Sequence, residues 1–238
     1  MANPVYKRIL LKLSGEALAG DHKHAIDPEV INRIASEIKE IHQFGVQVAI
    51  VVGGGNFCRG ATLAQVGIDR VTADQVGMLA TLMNALVLQE VIEKHQMPAR
   101  VHSAIKVGNV VDQFQRAKAI RLLEQGEVVI FAAGTGNPLV TTDSAASLRG
   151  IEIQADAILK ATNVDGIYDA DPLKNSHAQL YRQLTYSEAL TKELAVMDLT
   201  AFYQCRDHKM VLRVFNIAKQ GALKNIILGE SEGTVVTI

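Results

Sequence analysis

A chain of 238 residues with 48% hydrophobic and 21% charged side chains has an ordinary globular balance and is long enough for one sizeable α/β domain or two small ones. Its net charge of −1 lacks the basic excess expected of a general nucleic-acid binder or a membrane-surface protein, and with no Trp and 5% aromatics it offers no extended base-stacking platform. Cys58 and Cys205 lie far apart outside any CxxC pair, no segment reaches about 18 apolar residues, and the N-terminus lacks a signal-peptide stretch, which argues against a disulfide framework, a zinc site or a transmembrane helix and makes the cytoplasm the expected compartment.

Residues 8–13, RILLKL, read as a buried strand. Asp27 and Pro28 open a helix, with Asp as N-cap and Pro at the first position, and Ile31, Ile34, Ile38 and Ile41 follow at helical spacing until Gly45. Residues 46–52 form a β-branched strand and 72–94 a long helical pattern. A short strand is expected at 100–103, a helix capped by Asp112 to Gln125, and a strand at 127–132. Thr142 is positioned to cap a helix from Asp143, followed by a strand at 157–161, helices at 187–194 and 199–206, and strands at 212–215 and 225–228. The alternation predicts a mostly parallel sheet sandwiched between helices, a three-layer α/β/α architecture, with ligands at the strand C-termini. Met78 and Met83, in an apolar run with Leu79, Leu82 and Leu86, suit core or subunit-interface packing.

Three glycine-rich loops follow strands: Lys12-Leu13-Ser14-Gly15-Glu16; Gly53-Gly54-Gly55-Asn56 with Arg59 close behind; and Gly134-Thr135-Gly136-Asn137-Pro138, leading to Thr141, Thr142 and Asp143. Glycine lets backbone N–H groups approach an anion, and a helix N-terminus beyond adds partial positive charge. Lys12 and Arg59 add full charges. The set points to a polyanionic ligand or two phosphate-bearing ligands. No G-x-x-x-x-G-K-[S/T] occurs and no G-x-G-x-x-G with a placed acid follows a strand, so a P-loop kinase and a dinucleotide dehydrogenase are disfavoured. The seven histidines show no metal-ligand spacing; His22 and His24 flank Lys23 in a polar loop.

KLSGEAL at 12–18, GGGN-x-x-RG at 53–60, GMLAT-x-MN at 77–84, GTGNP-x-x-TTDSAA at 134–146, LKAT-x-VDG-x-Y-x-x-DP at 159–172, and RDH, RVFN and EGT near the end closely resemble the bacterial uridylate kinase family. The resemblance spans the chain in order. It implies the amino acid kinase fold as a single domain, with an acceptor part over residues 1–150 and an ATP part over 151–238. It also implies a homohexamer, ATP and UMP as substrates, Mg²⁺ bound with ATP, and UTP as a candidate feedback inhibitor. Lys12, Leu13, Ser14, Gly15, Gly55, Arg59, Thr162, Tyr168 and Asp171 would bind ATP. Gly54, Asp74, Thr135, Gly136, Asn137, Pro138, Leu139, Val140, Thr141 and Thr142 would bind UMP. Lys12, Arg59 and Asp143 would be catalytic, with Asp143 orienting the lysine.

The expected reaction needs positioning and cationic charge more than a general base, because a phosphate monoester with a second pKa of about 6 is already ionised near neutral pH. Residues 20–25, GDHKHA, depart from a glycine- and phenylalanine-containing segment linked to GTP activation in many relatives, so that property is not carried over. Leu139 and Val140 stand where aromatics are common and predict an altered pocket wall with the same substrate. The competing readings are an acetylglutamate, carbamate or aspartate kinase of the same fold, and a nucleotide-sensing regulatory protein.

Overall fold

The structure is a computed structural model that describes residues 3–20, 25–58, 60–65, 67–194 and 196–238. The elements run β1 (Arg8–Leu13), α1 (Gly15–Ala19), α2 (Pro28–Gln43), β2 (Gln47–Val52), α3 (Gly60–Gln65), α4 (Arg70–Lys94), β3 (Ala99–Ser103), β4 (Asp112–Gln113), α5 (Arg116–Glu124), β5 (Val128–Ala132), α6 (Thr142–Glu152), β6 (Ala157–Thr162), β7 (Ile167–Tyr168), β8 (Leu180–Tyr181), β9 (Gln183–Thr185), α7 (Tyr186–Thr191), α8 (Leu199–Asp207), β10 (Val211–Asn216), α9 (Ala222–Ile227) and β11 (Thr234–Thr237).

A sheet in the order β4-β3-β5-β2-β1-β6-β10-β11-β9 carries the molecule, and β10–β11 is its antiparallel pair. β7 and β8 form a separate hairpin. The expected three-layer arrangement is present. Side chains alternate across each strand. Ile9, Leu11 and Leu13 of β1 join Ile34, Ile38, Leu88 and Ile226 from α2, α4 and α9 in one core. Leu10 joins Ala145, Ala146 and Phe202 from α6 and α8 in the other. The chain leaves β1 for β2 on one side and later crosses from β5 to β6 on the other. The C-terminal ends of β1 and β6 therefore border a crevice of the kind that binds ligands in open α/β sheets.

Local signals account for the helix starts. Asp27 accepts from the Glu29 and Val30 N–H groups, with Pro28 at the first helical position, as expected. α4 begins at Arg70, two residues before the predicted start, because Asp69 caps it through Val71 and Thr72 N–H. α6 is capped by Thr141, not Thr142. α7 ends at Thr191, earlier than predicted, after a reciprocal Thr185–Glu188 capping box.

Two element predictions fail. Asp112 does not cap a helix: residues 112–113 extend the sheet edge beside His102 and Ser103, the Asp112 carboxylate takes Lys118 at 2.9 Å, and α5 starts at Arg116 without a side-chain cap. Residues 225–228, read as a strand, lie at the end of α9. Gly221 turns the chain in a left-handed conformation, and Leu223, Ile226 and Ile227 bury one helical face. α4 contains no unbroken run of 18 apolar residues, yet an 18-residue window of it has a mean hydropathy of 1.4, so by length and composition it is apolar enough to cross a membrane. Its Ala80, Leu82, Ala85, Leu88 and Ile92 pack as core, while Val76, Leu79, Met83, Leu86 and Val87 are exposed.

Candidate active site

Lys12 has the strand parity of Leu10, so it points to the α6 face rather than into the core around Leu11 and Leu13. Lys160 has the parity of Ile158 and points the same way from β6. The two lysines are register partners on adjacent parallel strands. Asp143, in the first turn of α6, lies between them: its Oδ1 is 2.9 Å from Lys12 Nζ and its Oδ2 accepts from Lys160 Nζ at 2.8 Å. Lys160 also donates to the Val196 carbonyl at 2.6 Å.

Burial alone would raise the Asp143 carboxyl, but the Lys12 and Lys160 ammoniums outweigh it and hold the group below the usual carboxylate range. Burial pulls Lys160 below the ordinary lysine range, against the opposing pull of Asp143. Asp198, the N-cap of α8, supports the cluster from behind. It accepts from Ala201 N–H and from the Ser144 and Thr141 hydroxyls, so it ties the N-terminus of α6 to that of α8.

The first two glycine loops pack against each other. A Cβ on Gly15 would fall 2.5 Å from the Gly55 nitrogen, and one on Gly54 would fall 2.7 Å from the Gly77 carbonyl and 2.8 Å from Ala80 Cβ of α4. Gly55 lies against the Glu16 carboxylate. Asn56 and Asn84 exchange reciprocal amide hydrogen bonds of 3.0 and 2.7 Å, and Asn84 also donates to the Gly53 carbonyl, which fixes the second loop on α4. Thr81 holds the third loop by accepting from Ala133 N–H at 2.7 Å. Asp74 joins it farther out, accepting from Leu139 N–H at 2.8 Å and from Arg70 Nε at 3.0 Å.

Two cavities flank the Asp143 cluster. One, of about 370 Å³, is lined by Gly54, Gly55, Asp74, Asn137, Val140, Thr141 and Thr142, together with Arg70, Thr81 and the free Cys58. The other, of about 500 Å³, is lined by Lys160, Thr162, Gly166, Tyr168, Asp171, Leu194 and Val196 among others. Gly55, expected on the ATP side, lines the same cavity as Gly54. Thr135, Gly136, Pro138 and Leu139 are outside that lining. Thr135 Oγ1 accepts from Asn137 N–H, and Leu139 is 66% exposed with a left-handed backbone. Lys12 and Leu13 are buried on β1, and Ser14 caps α1 through Ala17 N–H. The Thr162 hydroxyl bonds the Val164 and Phe215 carbonyls, and Asp171 Oδ1 accepts from Leu173 N–H. Arg59, His22, His24 and the centre of the 20–25 segment lie outside the described residues.

Sequence reasoning missed Lys160, Ser144 and Asp198. The signal for Lys160 was the one used for Lys12, a lysine interrupting an apolar strand. The signal for Asp198 was an Asp directly before a helical run.

The amino acid kinase family matches residues 7–216 of the chain. The uridylate kinase of Coxiella burnetii is 63% identical over 233 residues, covering 98% of this chain and 96% of that one. The crystal structure of UMP kinase from Bacillus anthracis matches with a TM-score of 0.95 at 40% identity, covering 98% of this chain and 96% of that one. UMP kinase from Ureaplasma parvum matches with a TM-score of 0.92 at 38% identity, covering 98% and 99%.

Proposed function

The chain belongs to the amino acid kinase family, and we propose that within it the chain works as a uridylate kinase, moving the γ-phosphoryl group of ATP onto UMP to give ADP and UDP. The observation that carries phosphoryl transfer is the Lys12–Asp143–Lys160 cluster set between two cavities at the ends of β1 and β6. The choice of UMP rests on the likeness to named uridylate kinases over nearly the whole chain. The product feeds pyrimidine nucleotide synthesis, and the compartment is the cytoplasm.

In this reading the cavity beside Gly54, Asp74 and residues 135–142 takes UMP, with Asp74 on the ribose hydroxyls. The cavity beside Thr162, Tyr168 and Asp171 takes the ATP nucleoside. Residues 1–150 then supply the acceptor part and 151–238 the ATP part. The loop Lys12, Leu13, Ser14, Gly15, together with Gly55 and Arg59, receives the ATP phosphates. The acceptor oxygen is ionised near neutral pH, so an in-line attack on the γ-phosphorus needs no base. Lys12 neutralises charge that builds on the transferring oxygens, and Asp143 holds Lys12 in place.

Among the described residues no group of three or more His, Cys, Asp or Glu is placed to hold a metal, and Asp143 already answers two lysines. The donor set therefore fits a Mg²⁺ carried on the ATP phosphates rather than one held in a protein cage. When bound, that ion offsets phosphate charge. The exposed α4 stripe of Val76, Leu79, Met83, Leu86 and Val87 recurs at helical spacing and is the surface for assembly into a homohexamer. UTP is the expected feedback inhibitor.

An ADP-release assay with ATP, Mg²⁺ and a panel of UMP, CMP, AMP, GMP, acetylglutamate and aspartate tests the reading. Turnover with UMP supports it. Turnover with an amino acid substrate alone selects another kinase of the family, and UMP binding without turnover selects a regulatory protein.

A further inference from the structure

Lys160 belongs to the cluster, but no step of the reaction has yet been assigned to it, and its placement is costly to maintain. Its side chain is 14% exposed, on a strand whose neighbouring positions are apolar core. A buried ammonium persists only where its charge and donors are met. Two of its three N–H donors are met, by Asp143 Oδ2 and by the Val196 carbonyl. The remaining exposure is to the 500 Å³ cavity, whose wall Lys160 shares with Thr162, Tyr168 and Asp171.

Lys12 is spaced to work with it. Neighbouring strands lie about 4.8 Å apart, so two register-paired lysines on one carboxylate can address adjacent phosphoryl groups. Asp143 supplies one negative charge to two ammoniums. Asp198 pulls on Lys160 more weakly, and its oxygens are taken by Ser144, Thr141 and Ala201 N–H.

We infer that Lys160 is a further catalytic residue, which meets the β-phosphate of the departing nucleoside diphosphate with its third N–H. The inference rests on reading the cavity beside Tyr168 as the donor's. In the transfer, the bond between the γ-phosphorus and the β–γ bridging oxygen breaks, and a bond from an acceptor phosphate oxygen to that phosphorus forms. The electron pair of the broken bond stays on the β-phosphate. No proton moves, and the Lys160 ammonium neutralises the charge that appears there.

A test compares ADP and AMP, which differ by that β-phosphate, on the full-length wild-type protein and on Lys160→Gln, which keeps hydrogen-bond donors but not the charge. In the variant kcat falls by about 10²–10³, in the range seen when a charge-stabilising donor is lost. ADP affinity falls about tenfold, close to one unit of 1.4 kcal/mol, while AMP affinity stays within twofold. A kcat within fivefold of wild type, or equal weakening of ADP and AMP, overturns the inference.

A second measurement does not depend on the variant folding. Acetic anhydride labelling of wild-type protein, read by peptide mass spectrometry, should show Lys160 shielded by ADP and not by AMP. Equal labelling with the two nucleotides overturns the inference. Wild-type turnover with UMP is measured alongside. Its absence sinks the kinase reading, whereas normal wild-type turnover with an unimpaired variant sinks only the role of Lys160.

Discussion

Lys12 and Lys160 face each other in register on the parallel strands β1 and β6, and their ammonium groups hold the two oxygens of one carboxylate, Asp143, at 2.9 and 2.8 Å. The arrangement follows from strand parity and helix placement. Each lysine takes an inward-facing position on the α6 face at the end of a strand, and α6 brings an acid in its first turn, where the helix dipole favours a negative charge. A rigid pair of cations at the crevice between two cavities is therefore built into the sheet.

Removing the first of these cations should stop turnover without unfolding the chain. Lys12→Ala is expected to lose about 10²–10³ in kcat while keeping a native circular dichroism spectrum, because Asp143 retains Lys160 as its partner. Steady-state kinetics on the purified variant check this, and a folded variant with near-normal kcat would contradict the role given to Lys12.

Asp143→Asn should harm both stability and rate. Breaking a buried ion pair from one side typically costs about 3–5 kcal/mol, and here two ammoniums lose their counter-charge. The sign of the pH effect follows from the depressed carboxyl. Its stabilisation is complete above the unfolded value of 3.8 and is lost as pH falls through the lower folded value. Urea midpoints of the two proteins should therefore differ most near neutrality and converge in strong acid. A constant gap across that range would show that the carboxylate charge is not the cause.

Gly54→Ala should weaken the acceptor side. The new methyl would press on the Gly77 carbonyl and Ala80 Cβ of α4, and such overpacking typically costs about 1–3 kcal/mol. A Cβ on Gly77 meets nothing within 4 Å, so Gly77→Ala should leave stability unchanged or raise it by about 0.5–1 kcal/mol. Thermal unfolding of the two variants, together with the KM for UMP of Gly54→Ala, checks the contrast. Equal stabilities would remove the close-packing argument.

His102 gives the fold an acid-sensitive point away from the site. It is fully buried, edge-on to Phe114 and Phe131, and burial lowers it to about 4; Asp112 opposes this while Lys118 and Arg100 add to it. The unfolded chain takes up a proton at this position near 6.5 and the folded chain does not until about 4, so stability should fall as pH drops through that interval. His102→Leu should flatten the decline in melting temperature between those pH values. An unchanged slope would exclude His102 as its source.

The strands at residues 8–13, 46–52 and 157–161 were legible because continuous apolar runs at the centre of a parallel sheet leave little else to form. The run at 225–228 was too short for periodicity to separate helix from strand, and the left-handed turn at Gly221 decided for helix. The glycine loops were legible as turns, but not as surfaces for one another. The contact between Gly15 and Gly55 joins segments some forty residues apart, and nothing local encodes it. Lys160 was hidden for a similar reason, since its meaning depends on register with Lys12 across a crossover. The attachment of Asp74 to the Leu139 N–H joins α4 to a loop 65 residues away and is likewise visible only in the folded chain.

In the proposed reaction the terminal phosphoryl group of ATP passes directly to UMP. Incubating the protein with γ-³²P-labelled ATP, Mg²⁺ and UMP, then separating the nucleotides, tests it most directly. Label is expected in UDP, matched one-for-one by ADP. Label appearing only as inorganic phosphate, or remaining in ATP while UMP stays bound, would contradict it.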